Sequence, residues 1–378
     1  MFKVITSSIT FNKSTKYEFE GVNVHRIAQK FLLPFFERKS NYSIIRFLGK
    51  AFHFFKDKFS IDFILEGLPV FWILLQNHSE YDVIHIFGKN NTTGAAILFA
   101  KCFKKPLIIE LVNLEENPHH PLPRTLNYIW GNRFPSDVLI VCISKRLSDM
   151  ALKNGYSQEK IWCRPNPVDV DKFTINYANK YALRQSLLGL DKEKILILHL
   201  AKFMPLKNQS FVVDVLSCLP ENFHCVMVGP LVDSGPLKER DQNYFSELIQ
   251  KINTLGISER INIQNRFVEN PEQYMQASDI VLVPSTTEAC GTPALEAVAC
   301  GIPVIVNNIP GVFDQWIEEG VSGYICDLEP KKWAECIIKA IEIKREHLLK
   351  ARKKVIENCS VTVIDENYRS ILLKVANG

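Results

Sequence analysis

The stretch DIVLVPSTTEACGTPALEAVACGIPVIV, residues 279–306, decides the fold. It opens with a short apolar run, Asp279 to Ser285, that reads as a buried strand ending near Pro284. A loop of small polar residues follows. Thr292 suits a helix cap and Pro293 the first helical position, while Ala294, Leu295, Glu296 and Ala297 favour helix. Gly301 can end that helix in a left-handed conformation, and Pro303 prevents its continuation. Residues 303–306 then return to strand.

A strand-loop-helix unit of this kind leaves the helix N-terminus open at the carboxyl end of a parallel strand. Gly291 lets a ligand approach the backbone closely, and the free amides attract anions, of which a diphosphate is the usual occupant. Two carboxylates flank the spot, Glu288 in the loop and Glu296 in the first turn. Beside a diphosphate a carboxylate is repelled unless it accepts hydroxyl hydrogen bonds, and sugar hydroxyls are the obvious donors. The pattern therefore fits a ligand with an anionic middle and polyols on both sides, as in a nucleotide sugar. In LAKFMPLKNQSF (200–211), Lys202 and Lys207 lie on another strand-to-helix turn, and neighbouring loops of one sheet edge converge on a shared ligand.

Outward from this centre, apolar runs alternate with helical segments. Strands are expected at 195–201, 223–229, 261–264, 279–285 and 303–306, with helices over 207–218, 242–255, 271–277 and 293–300. This alternation predicts βαβ units and a parallel sheet. Residues 2–6, 82–87, 106–112 and 137–144 are strand candidates in the first half, with helices over 93–103 and 145–154 between them. Residues 7–80 give no clear pattern. Asn166-Pro167-Val168-Asp169 and the polar stretch 171–193 read as a connection between domains. A last helix is expected over 361–377, after a break at 358–360.

Composition sets the outer limits. The chain has 378 residues, 47% hydrophobic and 23% charged, which suits two ordinary globular domains. A net charge of +4 is too mild to argue for a nucleic-acid partner. None of the ten cysteines forms a Cys-x-x-Cys pair, so no zinc site is expected, and most sit in apolar runs as free thiols would in a reducing compartment. Asp169-Val170-Asp171 falls in the interdomain turn and reads as part of it, not as a metal-holding pair; no metal is expected. No signal-peptide core or run long enough to span a bilayer is seen, so the expected address is the cytoplasm. Residues 26–58 are basic and aromatic, with eight Lys or Arg against Glu37 and Asp57. Part of that segment is core; an anionic membrane surface is the alternative partner for the rest, on the inner face of the membrane. His119-His120 lies in a Pro-rich loop and reads as exposed.

Glu288 and Glu296 with seven residues between, followed by Gly301-Ile302-Pro303-Val304, resemble the group 1 glycosyltransferases, family 4, with the GT-B fold. Lys202 and Lys207 resemble that family's basic phosphate turn. Val228-Gly229-Pro230, the run Pro165 to Asp169 ahead of Phe173, and the strand DVIHIF are similar too. The resemblance is strong over roughly 160–330 and faint before. It implies an α/β chain of two Rossmann-like lobes facing each other across a cleft. Residues 1–170 would form an acceptor-side domain, 171–360 a donor domain, and 361–378 a helix returning towards the first. It implies a retaining, metal-independent glycosyltransferase that moves a sugar from a nucleoside-diphosphate sugar, a co-substrate, to a glycan or lipid-linked acceptor in cell-surface polysaccharide synthesis. Lys202, Lys207 and Glu288 would be catalytic: the lysines on the diphosphate, Glu288 on the donor sugar. Glu296 would bind the ribose, Gly291 and Thr292 would complete the phosphate cradle with Gly229 nearby, and Arg266 and Phe267 would border the base.

Several positions depart from the family pattern. Gly21 stands alone after the first strand where a glycine-rich loop is common. Asn113 and Glu115 follow the strand PLIIELV where many relatives carry a histidine. Ala201-Lys202 stands in place of Gly-Arg, and Pro167 in place of glycine. No catalytic base is assigned. Two rival readings are a nucleotide-sugar epimerase of the same architecture, for which no convincing set of first-lobe acids is found, and a non-catalytic nucleotide-sugar-binding partner protein.

Overall fold

A computed structural model describes residues 3–8, 13–19, 22–28, 61–88, 91–112, 138–235 and 237–376. The chain divides into two compact units. The first comprises Met1–Cys142, Ser148–Trp162 and Ser370–Gly378; the second comprises Ile143–Leu147 and Cys163–Arg369.

In the first unit, β1 (Lys3–Ser8), β2 (Thr15–Phe19) and β3 (Val22–Ala28) form a three-stranded sheet. β3 lies in the middle, parallel to β1 and antiparallel to β2. A four-stranded sheet follows, in the order β4 (Ile84–Phe87), β5 (Leu107–Leu111), β6 (Leu139–Cys142) and β7 (Ile161–Cys163). β4, β5 and β6 run parallel. Helices α1 (Ile61–Gln76) and α2 (Asn91–Phe103) pack together, with Phe99 edge-on to Phe71 at 5.4 Å and stacked on Phe103 at 4.4 Å. Helix α3 (Lys145–Lys153) follows β6.

The second unit carries the site. After α4 (Lys180–Leu188) the chain alternates strand and helix: β8 (Ile195–Leu200), α5 (Gln209–Ser217), β9 (Phe223–Val228), α6 (Lys238–Thr254), β10 (Ile261–Gln264), α7 (Pro271–Ala277), β11 (Ile280–Val283), α8 (Thr292–Ala299) and β12 (Val304–Asn307). It ends with β13 (Gly323–Cys326), α9 (Pro330–Ala340), α10 (Arg345–Cys359) and α11 (Val361–Ala376). The six strands are all parallel and lie in the order β10-β9-β8-β11-β12-β13. The first strand thus sits centrally: the chain winds outward on one side, then returns to begin again with β11 on the other. This is the doubly wound order, and its switch point lies between β8 and β11. Both faces of the sheet are covered, which explains why β8, β9, β11 and β12 are almost continuous apolar runs. On one face Val213 and Leu216 of α5 meet Ile197, Met227 and the fully buried Trp333 of α9.

The stretch 171–193 is not the polar connection its composition predicts. It holds α4, and Arg184 on that helix is fully buried. Its guanidinium donates to the carbonyls of Ala277 and Lys194 and to Asp279 Oδ2 at 2.8 Å. Asp279 also takes the Lys180 ammonium at 2.6 Å and the Leu196 amide. A buried charge needs such a set of partners. The polar letters here encode a satisfied internal network, not a solvated linker.

Six of the ten cysteines are buried, Cys336 is half-buried, and Cys102, Cys163 and Cys218 are exposed; all are free thiols. No helix among the described residues is long and apolar enough to cross a membrane. Most of the basic aromatic segment, residues 29–58, lies outside the described residues, as do Gly21, Asn113, Glu115, His119 and His120.

Candidate functional site

The residues singled out in the second half gather at the carboxyl ends of the strands around the switch point. Lys202 and Lys207 follow β8; Glu288, Gly291 and Thr292 follow β11. The turn after β8 is a short 3₁₀ segment, Pro205–Lys207, closed by Asn208 in the left-handed region (φ 57°). Asn208 spends its side-chain amide on the Pro284 carbonyl, and the Thr286 amide donates back to the Leu206 carbonyl at 3.0 Å. These bonds clamp the two loops together. Between them the Lys207 ammonium meets Glu288 Oε1, which also accepts from Ser285 Oγ at 2.9 Å. The pair is partly sheltered, Lys207 being 27% and Glu288 11% exposed.

Four residues beyond Glu288, helix α8 begins. Gly291 caps it in the left-handed conformation (φ 69°), one residue earlier than the expected cap, Thr292, which is the first helical residue instead. A glycine is required there on two counts: the backbone angle, and the Phe313 ring, which a Cβ would meet at 2.2 Å. Among the described residues the amides of Gly291 and Thr292 have no acceptor, since the first internal bond runs from Ala294 to the Gly291 carbonyl. At the other end Gly301 (φ 69°) and Ile302 donate to the carbonyls of Val298 and Ala297, so the helix stops as its sequence predicts. Extended backbone covers at most about 3.6 Å per residue, so Glu288 lies within about 11 Å of Gly291 along the chain. Lys207 and the helix start thus share one corner of the sheet edge.

The carboxyl of Glu296, in the second turn of α8, has no hydrogen-bond partner among the described residues. Burial pushes its carboxyl up to about 7, opposed by the charge of Lys172. Lys172 is engaged with the Glu269 carbonyl at 3.0 Å and with Glu272 at 3.5 Å. Lys202 is exposed; its carbonyl accepts from the buried Gln209 amide, which fixes the turn's backbone. Gly229, after β9, faces the backbone of Ala201, whose oxygen a Cβ would meet at 1.9 Å. Its smallness therefore serves the approach of two loops. Arg266 and Phe267 follow β10, two strands from β8. Arg266 is tied to Gln264 Oε1 (3.0 Å) and Tyr274 Oη (3.1 Å), and Phe267 is 76% exposed, an open aromatic face.

Sequence reasoning missed three contributors. Asn166 donates to Thr292 Oγ1 at 3.0 Å, tying the Asn-Pro turn to the helix start. Asn307 at the end of β12 donates to the Ser285 carbonyl at 2.9 Å and shapes the Glu288 loop. His199 on β8 is buried, with Nδ1 on the Leu282 carbonyl at 3.0 Å. Burial holds it down to about 4, with the Lys207 charge adding to the effect, so it is neutral. Asn166 was read only as part of its turn, and the isolated letters of Asn307 and His199 carried no pattern to mark them. Asp169 accepts the Lys172 amide, and no group of three His, Cys, Asp or Glu side chains able to hold a metal occurs among the described residues.

Comparisons with known proteins bear on the same region. Residues 184–360 match the family described as "Glycosyl transferases group 1". The D-inositol 3-phosphate glycosyltransferase of Xylanimonas cellulosilytica is 29% identical over 208 residues, covering 53% of this chain and 48% of that protein. The Escherichia coli UDP-Gal:alpha-D-GlcNAc-diphosphoundecaprenol alpha-1,3-galactosyltransferase is 28% identical over 248 residues, 63% of this chain and 60% of its own length. The chain thus spans about half the length of the curated relatives it matches. Among solved structures, Anabaena HepE in complex with UDP superposes with a TM-score of 0.70 at 23% identity, covering 81% of this chain and 82% of that one. A Rickettsia africae glycosyltransferase gives 0.70 at 17%, over 93% and 85%. These likenesses show the fold, GT-B with two Rossmann-like lobes. Residues 184–360, just under half of the chain, are thus the part that is similar to the group 1 glycosyltransferases.

Proposed function

We propose that the chain is a retaining glycosyltransferase that takes a nucleoside-diphosphate sugar as donor and needs no metal. One observation carries this reading: Lys207 and Glu288 meet at the switch point beside the start of α8, whose glycine cap brings no side-chain hydrogen bond. Bond cleavage at the anomeric carbon builds charge on the departing diphosphate, and groups that bind that charge more strongly in the transition state lower the barrier. Hydrogen bonds to charged groups contribute about 1.5–3 kcal/mol each. A helix terminus adds about 0.3–2 kcal/mol. Lys202, Lys207 and the α8 terminus together supply about 3–8 kcal/mol, roughly 10²- to 10⁶-fold in rate. Positive side chains thus do here what a divalent cation does in other transferases.

Glu288 accepts hydroxyls of the donor sugar and Glu296 the ribose diol, which gives its unpartnered carboxyl a role. The amides of Gly291 and Thr292 hold phosphate oxygens, and Arg266 and Phe267 frame the base. The E. coli relative is named for a diphosphoundecaprenol-linked acceptor, which supports a lipid-linked glycan acceptor and a peripheral place on the inner membrane face, in polysaccharide synthesis.

The test is a panel of nucleotide sugars incubated with lipid-linked and free glycan acceptors in the presence of a chelator, followed by NMR. The reading expects acceptor-dependent release of nucleoside diphosphate and an unchanged anomeric configuration. Donor binding without release across the acceptors favours a non-catalytic partner protein, and an epimerised donor sugar favours an epimerase.

A further inference from the structure

The sulfurs of Cys326 and Cys336 lie 2.9 Å apart, at the end of β13. Cys326 ends β13 beside Asn307 and is buried; Cys336 lies on α9 and is half-buried. Three features hold them there. Trp333, one helical turn before Cys336, is fully buried and donates its indole N–H to the Asp327 carbonyl at 2.9 Å. Its ring meets Phe211 edge-on at 5.1 Å. Ala334 and Ile337, which flank Cys336 on the helix, are buried as well, so α9 cannot turn Cys336 away. On the strand side the Cys326 carbonyl accepts the Asn308 amide at 3.0 Å. A disulfide has its sulfurs about 2.05 Å apart, so closing this one asks for less than about 1 Å of movement.

We propose that Cys326 and Cys336 form a peroxide-oxidisable dithiol site that closes reversibly to an intramolecular disulfide. Cys336, the thiol nearer solvent, attacks. Its thiolate sulfur bonds to one peroxide oxygen, the O–O bond breaks, and hydroxide leaves and takes up a proton as water, giving a sulfenic acid. The Cys326 sulfur then displaces that hydroxyl: the S–S bond forms, the S–O bond breaks, and a second water leaves with the Cys326 proton. Two thiols lose two electrons in all, and one peroxide is reduced to two waters. The buried Cys326 serves as the resolving thiol. It captures the sulfenic acid before a second peroxide drives it to the irreversible sulfinic state. A dithiol reductant reverses the bond by exchange.

The whole chain, reduced and then exposed to a small excess of hydrogen peroxide, is quenched with an alkylating agent under denaturing conditions and mapped by peptide mass. The expected product is a Cys326–Cys336 cross-linked peptide pair, lighter by two hydrogens and restored by dithiothreitol. In Cys326→Ala, or in Cys326→Ser should the first fold poorly, the cross-link is lost and Cys336 gains oxygen instead. If both thiols are alkylated in full while the exposed Cys102, Cys163 or Cys218 oxidises, the proposal is overturned. A Cys336 that stays reduced in the folded Cys326 variant overturns the assigned order of attack.

Discussion

Lys207 and Glu288 form an ion pair that joins the turn after β8 to the loop after β11, across the switch point of the second unit's sheet. Two loops more than eighty positions apart in sequence thereby present one positive and one negative group at a single corner. The partly buried setting makes the pair stronger than an exposed one, worth about 0–1 kcal/mol. It also sets the geometry of the proposed chemistry: the ammonium for the diphosphate, the carboxylate for the sugar attached to it.

Lys207→Ala removes a charge that the proposed transition state needs more than the ground state does. Turnover is expected to fall by more than about a hundredfold, equivalent to about 2.7 kcal/mol, with the fold retained. Steady-state release of nucleoside diphosphate, with circular dichroism as the control, measures it. Near-normal turnover contradicts the assigned role.

Glu296 gives a pH-dependent stability. Its carboxyl is raised to about 7 in the fold from an ordinary 4.5, chiefly by burial. Between those values the folded chain keeps a proton that the unfolded chain has released. Its contribution is therefore fully present below pH 4.5 and is lost as pH rises through about 7, on the order of 3 kcal/mol in all. Glu296→Gln lacks this slope, so relative to the unaltered chain it gains stability at about pH 8 but not at about pH 4. Urea unfolding at both pH values checks it; a constant difference between the two proteins refutes it.

The same substitution should weaken nucleoside diphosphate binding by about ten- to a hundredfold, the cost of a hydrogen bond to a charged group. Isothermal titration reads this directly. Unchanged affinity removes Glu296 from the ribose subsite.

Much of the second unit was legible because its strands are buried on both faces and so stand out as apolar runs. The predicted helix over 271–277 matches α7 residue for residue, and the Gly301 stop behaves as its sequence suggests. The illegible parts have physical reasons. β13 begins with Gly323 and is half-buried at its two middle residues, so no apolar run marks it. α4 hid behind Arg184, whose charge is neutralised by Asp279 and carbonyls that lie distant in sequence. The helix cap moved by one residue because a left-handed glycine can cap without a side chain. Gly229 has the Ala201 carbonyl as its neighbour, a proximity no local motif records. In the first unit the FKVIT, DVIHIF, PLIIELV and DVLIVCIS runs and the helices over 93–103 and 145–154 were readable, while residues 7–80 gave no pattern.

Three glycines form a graded series. Gly189→Ala meets nothing within 4 Å but has φ +63°, so it costs only backbone strain of about 1 kcal/mol. Gly291→Ala adds a clash with the Phe313 ring and is expected to cost about 2–4 kcal/mol and to disturb the start of α8. Gly229→Ala strikes backbone that cannot rotate away and should be at least as damaging. Thermal melts give the ranking, and equal losses for Gly189→Ala and Gly291→Ala count against it.

Arg184→Leu leaves the Ala277 and Lys194 carbonyls without their buried donor and takes from Asp279 one of its two cations. A loss of about 3–5 kcal/mol is expected, as for other buried pairs deprived of one partner. Chemical denaturation tests this, and a loss under about 1 kcal/mol places residues 171–193 outside the folding unit.

Isothermal titration with a nucleoside, its diphosphate and inorganic pyrophosphate, on the unaltered chain and on Lys207→Ala, tests the central claim most directly. The account predicts that the diphosphate binds at least about tenfold more tightly than the nucleoside and that Lys207→Ala erases this increment while leaving nucleoside binding alone. A diphosphate that binds no better than its nucleoside, or that binds Lys207→Ala as tightly as the unaltered chain, contradicts it.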